Sequence, residues 1–341
     1  MNLKELSRKL KLSQTTVSRA LNGFPEVNEM TRQRVLAAAK TFNYRPSARA
    51  KGLATGKAFA IGHIIPTSNK NEMVNPIFAD FIAGAGEGFT RAGYEMILSV
   101  PTASADQSDI YRSLKSRGTV DGVVVHSPRV DDPRIPLLLG LNMPFVVHGR
   151  SSGSTEPYSW LDVNNRSAFR RATDHLCDLG HRNIALLNGS EDMDFAARRR
   201  LGFEESMAAH GLSPNPHHLY ADEMTEEFGF RTTLNMIDRA DAPTAILTSS
   251  IIIALGVRRA IEERGLVMGR DISVITHDDR LSYLNNGGDV PIFTATRSSV
   301  RDAGSKLAQM LVQIIEQPDS EPVHTLLEAE LTVGTSTGPA S

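Results

Sequence analysis

The sequence predicts an all-α helix-turn-helix head followed by an α/β body of two doubly wound parallel-sheet halves, and three observations predict it. Residues 1–57 carry 12 Lys and Arg against three acids, a charge of +9, which leaves −11 on the rest of a chain whose net charge is −2. Within that basic segment, apolar residues recur at the spacing of three short helices with a tight turn between the first two. From Ala58 onward, short apolar runs alternate with amphipathic helices, the pattern of parallel βαβ units. The 341 residues are enough for two or three domains, and they hold no apolar stretch long enough to span a bilayer. The single cysteine, Cys177, excludes an internal disulfide and reads as a small core residue. The start Met1-Asn2-Leu3-Lys4-Glu5 lacks the apolar run of a secretory signal. A cytoplasmic protein with no membrane partner is expected.

In the head, Asn2 caps a first helix with Glu5 at its third position, and Leu3, Leu6 and Leu10 share one face as far as Lys9. Ser13 caps a second helix from Gln14 to Leu21, with Val17, Ala20 and Leu21 facing inward, and Asn22-Gly23 stops it. A third helix runs from near Asn28 to Phe42 and buries Val35, Leu36, Ala39 and Phe42. The second helix carries the chemistry. Its outward residues Gln14, Thr15, Ser18 and Arg19 would reach base edges in a major groove, Gln pairing with adenine and Arg with guanine. Thr16, Asn22 and the helix N-terminus suit phosphates. The partner implied is double-stranded DNA.

In the body, the expected strands of the first half are Ala58–Ile65, Tyr94–Val100, Gly122–His126 and Pro144–His148, with helices near Ile77–Ala92, Gln107–Ser116 and Arg134–Leu141. The second half has strands Asn183–Leu187, His218–Ala221, Ala245–Thr248 and Ile272–Ile275. Its helices lie near Asn165–Leu179, Ala196–His210, Thr225–Arg239 and Ile251–Arg264. Segments Phe293–Thr296 and Leu327–Val333 cross back around a helix Val300–Glu316. Two such halves enclose a cleft in which a ligand collects at strand carboxyl ends.

Leu12-Ser13-Gln14-Thr15-Thr16-Val17-Ser18-Arg19-Ala20-Leu21-Asn22, Thr31-Arg32-Gln33-Arg34-Val35, Asn43-Tyr44-Arg45-Pro46 and Ala50-Lys51-Gly52-Leu53 resemble the head of the LacI/GalR bacterial transcription regulators. In the body, Asn75-Pro76-Ile77-Phe78, Val120-Asp121-Gly122, Leu179-Gly180-His181-Arg182 and Asp271-Ile272-Ser273-Val274 resemble that family's periplasmic-binding-protein-like effector domain. The resemblance covers nearly the whole chain. It implies a DNA-binding domain over residues 1–46, a hinge helix and linker over 47–57, and a two-lobed effector-binding and dimerisation domain over 58–341. It also implies that Ala50, Lys51 and Leu53 meet the minor groove, with Leu53 as the wedge, an arrangement that suits the kinking of DNA by apolar side chains. Gly52 disfavours a helix there unless DNA is bound.

The same resemblance carries effector contacts to Phe78, His126, Arg150, Arg199, Ser250 and Asp278, with Asn164 at a position where an Asp-Asn pair is usual. Such a set suits a polyol: Asp278 accepts hydroxyl hydrogen bonds, Arg199 donates a fork, and Phe78 or Trp160 stacks on a sugar face. Gly149 stands where many sugar-responsive members have an aspartate, and Gly334 where an arginine is usual. His148-Gly149-Arg150, Asn164-Asn165 and Ser249-Ser250 resemble regulators of α-glucoside use in rhizobia-like bacteria. A homodimeric, sugar-responsive repressor of carbohydrate-use genes is the expectation. The competing expectation is a solute-binding protein of a sugar transporter, which the basic head argues against.

Other motifs point to no further chemistry. His217-His218 read as a surface pair that would point apart on a strand, not as metal ligands. Gly84-Ala85-Gly86-Glu87-Gly88 falls inside a helix and reads as packing, not as a phosphate loop. Asp278-Asp279 lack a nucleophile or oxyanion partner, so neither an enzyme nor a cofactor is expected.

Overall fold

The computed structural model describes residues 1–44, 56–65, 72–101 and 106–340. They divide into two compact units, Met1–Phe59 and Ala60–Ser341. The first holds α1 (Leu3–Leu10), α2 (Gln14–Leu21) and α3 (Glu29–Thr41). Each begins at a side-chain cap: Asn2 accepts from the Glu5 amide at 2.9 Å, Ser13 from Thr16 at 3.0 Å and Asn28 from Thr31 at 2.7 Å. Leu6, Leu10, Val17, Ala20, Val35 and Ala39 form the core, and Val27, from the loop before α3, completes it. Leu36 and Phe42 stay outside, at 41% and 37% exposure. Val35 and Ala39 already fill the narrow inner stripe of α3. Phe42 follows the last helical turn, where its ring lies 4.0 Å from the Lys9 ammonium.

The second unit contains two six-stranded sheets. The first takes β1 (Ala60–Ile64), β2 (Glu95–Ser99), β3 (Gly122–His126), β4 (Phe145–His148), β5 (Trp160–Val163) and β11 (His324–Leu327) in the order β11-β5-β4-β3-β1-β2. The second takes β6 (Ile184–Asn188), β7 (Leu219–Ala221), β8 (Ala245–Thr248), β9 (Ser273–Asp278), β10 (Thr294–Arg297) and β12 (Glu330–Thr332) in the order β12-β10-β9-β8-β6-β7. Every pairing is parallel except β10 with β12. The fully buried runs of β1, β3 and β8 read as continuous apolar strands because helices cover both faces.

The first lobe carries α4 (Pro76–Arg91), α5 (Gln107–Arg117) and α6 (Arg134–Gly140), and the second α7 (Asn165–Asp178), α8 (Asp194–Ala209), α9 (Glu226–Ile237) and α10 (Ile251–Glu263). Helix α11 (Val300–Glu316) starts after β10 yet packs on α4, so the chain crosses between lobes after β5, β10 and β11. The third crossing splits the expected strand Leu327–Val333 into β11 and β12 around Glu328-Ala329, with Ala329 buried at the junction. Strand β5 has no counterpart among the expected strands. His217 and His218 are no strand pair either: they end a 3-10 turn, Pro216–His218, with His217 exposed. The His218 ring is sealed inside, its Nδ1 2.9 Å from Asn183 Oδ1. The Gly84–Gly88 stretch lies within α4, where Gly84 lets the helix touch the Arg301 backbone of α11.

Candidate functional site

Two places gather polar groups with little internal employment. The first is the outer face of α2. Gln14, Thr15, Arg19 and Asn22 are exposed, while Thr16 and Ser18 are half-buried. Ser13 and Thr16 share a 2.8 Å hydroxyl contact that fixes the helix start, and Asn22 donates to the Ser18 carbonyl at 2.9 Å. Arg32 and Arg34 are occupied elsewhere, donating to the carbonyls of Phe24 and Leu10. The basic charge of the head is therefore partly structural. The Arg19 side chain makes no hydrogen bond or ion pair among the described residues. Ala50, Lys51 and Leu53 lie outside the described residues.

The second place is a cavity of about 360 Å³ between the two lobes, at the carboxyl ends of both sheets. From the first lobe come Ile77, His126, His148, Gly149 and Asp162, and from the second Asn165, Arg199, Ser249, His277 and Asp279. A short interlobe strip closes one side: the Val130 amide donates to the Asp192 carbonyl at 3.0 Å and the Asp194 amide to that of Pro128 at 3.1 Å. Ser152 donates its amide to the buried Asp194 carboxylate at 2.7 Å.

Arg199 dominates the second lobe's wall. It is buried, donates to Asn165 Oδ1 at 2.8 Å and to the Ser249 carbonyl at 2.5 Å, and lies about 5 Å from the rings of Phe169 and Phe195. Burial pulls its pKa down to about 10, which leaves it charged at neutral pH. Burial drives the Asp279 carboxyl the other way, up to about 7, against the pull of Arg199. His277, 3.6 Å from Asp279, is held well below the usual histidine range by burial and by Arg199. This wall can present a guanidinium and a half-neutral carboxyl to hydroxyl groups, with Phe195, Met224 and Ile252 as apolar neighbours.

Of the expected contacts, His126 and Arg199 line the cavity. Phe78, Arg150, Trp160, Asn164, Ser250 and Asp278 do not. In most cases an adjacent residue lines it instead: Ile77, Gly149, Asn165, Ser249 and Asp279. The reason is local. Asn164 and Ser250 turn back to cap α7 and α10, which leaves the next or preceding side chain to face the ligand space. Asp278 accepts from Arg297 Nε at 3.0 Å and from the Arg280 amide at 2.8 Å, on the side away from Asp279. Arg150 donates to Asp162 at 2.7 Å and so holds a lining carboxylate from behind. Trp160 stacks on His324 at 4.8 Å, and Phe78 is buried edge-on against His63. Gly149 has φ +110°, and a Cβ there would come 2.8 Å from Pro128 Cδ, so an aspartate does not fit this backbone.

Residues 2–47 match the family described as bacterial regulatory proteins, lacI family, and residues 173–337 match a periplasmic binding protein-like domain. The HTH-type transcriptional regulator AglR of Rhizobium meliloti is 44% identical over 341 residues, all of this chain and 95% of that one. The chain belongs to the lacI family of bacterial regulatory proteins. It is thus a transcriptional regulator with a helix-turn-helix DNA-binding head. The HTH-type transcriptional regulator RafR of Escherichia coli is 31% identical over 94% of each chain. Among solved structures, a transcriptional regulator CelR-cellobiose complex aligns at TM-score 0.72 and 26% identity, covering 98% of this chain and 99% of that one. The lac repressor dimer bound to operator and the anti-inducer ONPF aligns at TM-score 0.82 and 24% identity over 99% of each chain, and shares the fold. No helix among the described residues is long and apolar enough to cross a membrane.

Proposed function

We propose that this regulator is a cytoplasmic homodimer that represses carbohydrate-use genes, and that a small sugar, an α-glucoside, bound between the lobes sets its operator affinity. In this reading residues 1–46 read DNA, residues 47–57 form the hinge with Ala50, Lys51 and Leu53 at the minor groove, and residues 58–341 bind sugar and the second copy. Gln14, Thr15, Ser18 and Arg19 read bases, while Thr16 and Asn22 hold phosphates. The sugar is bound and released without chemical turnover.

The observation that carries the sugar reading is the interlobe cavity. It places a buried Arg199 fork, Asn165 and Asp279 opposite His126 and His148, with apolar Ile77 and Phe195 beside them. Hydroxyls and a carbon face are what that mixture satisfies. Closure around such a ligand couples to DNA only through differential affinity for two conformations, typically about 1–3 kcal/mol. The test is calorimetric titration of the full chain with maltose, trehalose, sucrose and cellobiose. At least one of the three α-glucosides, maltose, trehalose and sucrose, is expected to bind, and binding of cellobiose, a β-glucoside, alone would keep a sugar ligand but overturn the α-glucoside. Arg199→Met, which keeps apolar volume between Phe169 and Phe195, is expected to weaken that binding roughly tenfold to a hundredfold. Binding of none of the four would overturn the sugar reading, and unchanged affinity in the variant would remove Arg199 from the site.

A further inference from the structure

The first-lobe end of the cavity contains a feature that its general role as a sugar pocket does not require. His63, His126 and His148 stand at or near the ends of the adjacent strands β1, β3 and β4, with ring centroids of neighbours 6.0 and 4.8 Å apart. Nδ1 of His126 and Nδ1 of His148 are 2.9 Å from each other. The ring of His148 stacks on buried Phe81 at 4.3 Å and 15°. Nδ1 of His148 is thereby spent on its neighbour. Its Nε2 has no hydrogen bond among the described residues and is not one of the sealed atoms, and His148 lines the cavity. Both nitrogens of His63 are sealed and bond to nothing among the described residues, so no hydrogen bond from His63 selects the tautomers of the pair, and its charge is one of the influences that keep His126 neutral. No group of three His, Cys, Asp or Glu among the described residues is arranged to hold a metal ion.

An Nδ1-to-Nδ1 hydrogen bond between two neutral imidazoles has a strict consequence. One ring carries its proton on Nδ1 and leaves a bare Nε2, while the other accepts at Nδ1 and carries its proton on Nε2. Exchanging the roles gives a second arrangement with the same number of protons and the same Nδ1-to-Nδ1 hydrogen bond. Nε2 of His148 is then a donor in one arrangement and an acceptor in the other, without either ring becoming charged. Burial keeps both rings neutral: His148 is pulled down to about 4 and His126 well below the usual range. The Arg134 guanidinium, paired with Asp132, adds to this at His126 and His63, and α4 presents the aromatic rings of Phe78 and Phe81 to the cluster.

Resting on the sugar reading above, we propose that His148, with its tautomer set by His126, is a specificity-determining residue that reads one uncharged hydroxyl of the effector through Nε2. This end of the cavity therefore selects a neutral sugar terminus over a phosphorylated or amino one, since a neutral imidazole in a buried site compensates neither charge. The charged end of the ligand space is the Arg199 and Asp279 wall, so the pair also fixes which way round the sugar lies.

Two substitutions separate the two nitrogens. His148→Asn places a polar group near the former Nδ1 and keeps a partner for His126, but has nothing at the position of Nε2. His148→Gln places its terminal amide near Nε2. With whichever of maltose, trehalose, sucrose and cellobiose binds the parent protein, His148→Asn is expected to lose about tenfold or more in affinity and His148→Gln to retain most of it. Operator binding without sugar stays as in the parent and reports that each variant is folded. Nitrogen NMR of the histidine rings in the parent at pH 7 is expected to show complementary neutral tautomers for His126 and His148. Equal sugar affinity in His148→Asn and parent, or matching tautomers or a charged ring in the pair, would overturn the inference while leaving the sugar reading standing. Failure of all four sugars to bind the parent would overturn both.

Discussion

Lowering the pH from 7 to 5 is expected to destabilise the two-lobed body by on the order of 4–6 kcal/mol while leaving the helical head folded. Burial holds His63 down to about 3 and His148 down to about 4, from an ordinary 6.5, and holds His126 and His277 well below it. In the folded state burial favours the neutral form of these rings, whereas the unfolded chain takes up a proton on each below about pH 6.5. The unfolded state thus binds more protons, and stability that is fully present above that pH drains away as pH falls toward the folded values. Each histidine contributes ~2 kcal/mol to the loss over this interval. Asp279 works in the opposite sense, because its carboxyl, raised to about 7, keeps a proton in the folded state that the unfolded chain has given up. It offsets about one histidine. Residues 1–44 contain no histidine, so the head has no such term. Trp160 is the only tryptophan and lies in the body, so urea unfolding followed by its fluorescence reports the body alone. An urea midpoint that is unchanged or higher at pH 5 would contradict the buried, neutral placement of the histidine cluster.

Gly84→Ala and Gly86→Ala, two residues apart in α4, are expected to have opposite effects. A Cβ at Gly84 would fall inside the van der Waals radius of the Arg301 carbonyl oxygen on α11, and neither helix backbone can move without opening the first lobe's core. The expected cost is about 3 kcal/mol, the upper range for overpacking a site walled by backbone. A Cβ at Gly86 meets nothing within 4 Å, so alanine there gains the helix preference of roughly 0.5–1 kcal/mol. Parallel urea titrations of the two variants check this, and equal midpoints would show that α4 and α11 are not packed backbone to backbone. The second lobe uses the same device, where Gly202 approaches the Arg166 carbonyl and Gly256 that of Glu226.

Much of this architecture is legible in the sequence where a local rule and the tertiary environment agree. The caps Asn2, Ser13 and Asn28 place the head helices, and the apolar runs Gly122–His126 and Ala245–Thr248 are strands with those bounds. Strand β5 is not legible, because Trp160–Val163 spans four residues after a polar Ser- and Gly-containing stretch and is a strand only by pairing between β4 and β11. The split of β11 from β12 is set by the crossing between lobes, which no local pattern marks. The cavity lining is partly legible. His126 and Arg199 line it, Asn165, Ser249 and Asp279 sit beside the expected Asn164, Ser250 and Asp278, Trp160 has no lining neighbour, and His148, Asp162 and His277 are not among the expected contacts. At strand ends, side chains alternate between faces, so a single helix cap or ion pair decides which of two neighbours turns inward. The tandem Asp278-Asp279 is the clearest case: Arg297 claims the first, and the second is left to the cavity.

In the proposed mechanism, occupancy of the interlobe cavity changes affinity for DNA. The direct measurement is fluorescence-anisotropy titration of the full chain against labelled DNA from upstream of its own gene, with and without a sugar shown by calorimetry to bind. Tight binding is expected without sugar, with an affinity lowered by roughly 5- to 150-fold at saturating sugar. The same affinity with the cavity filled and empty would contradict it.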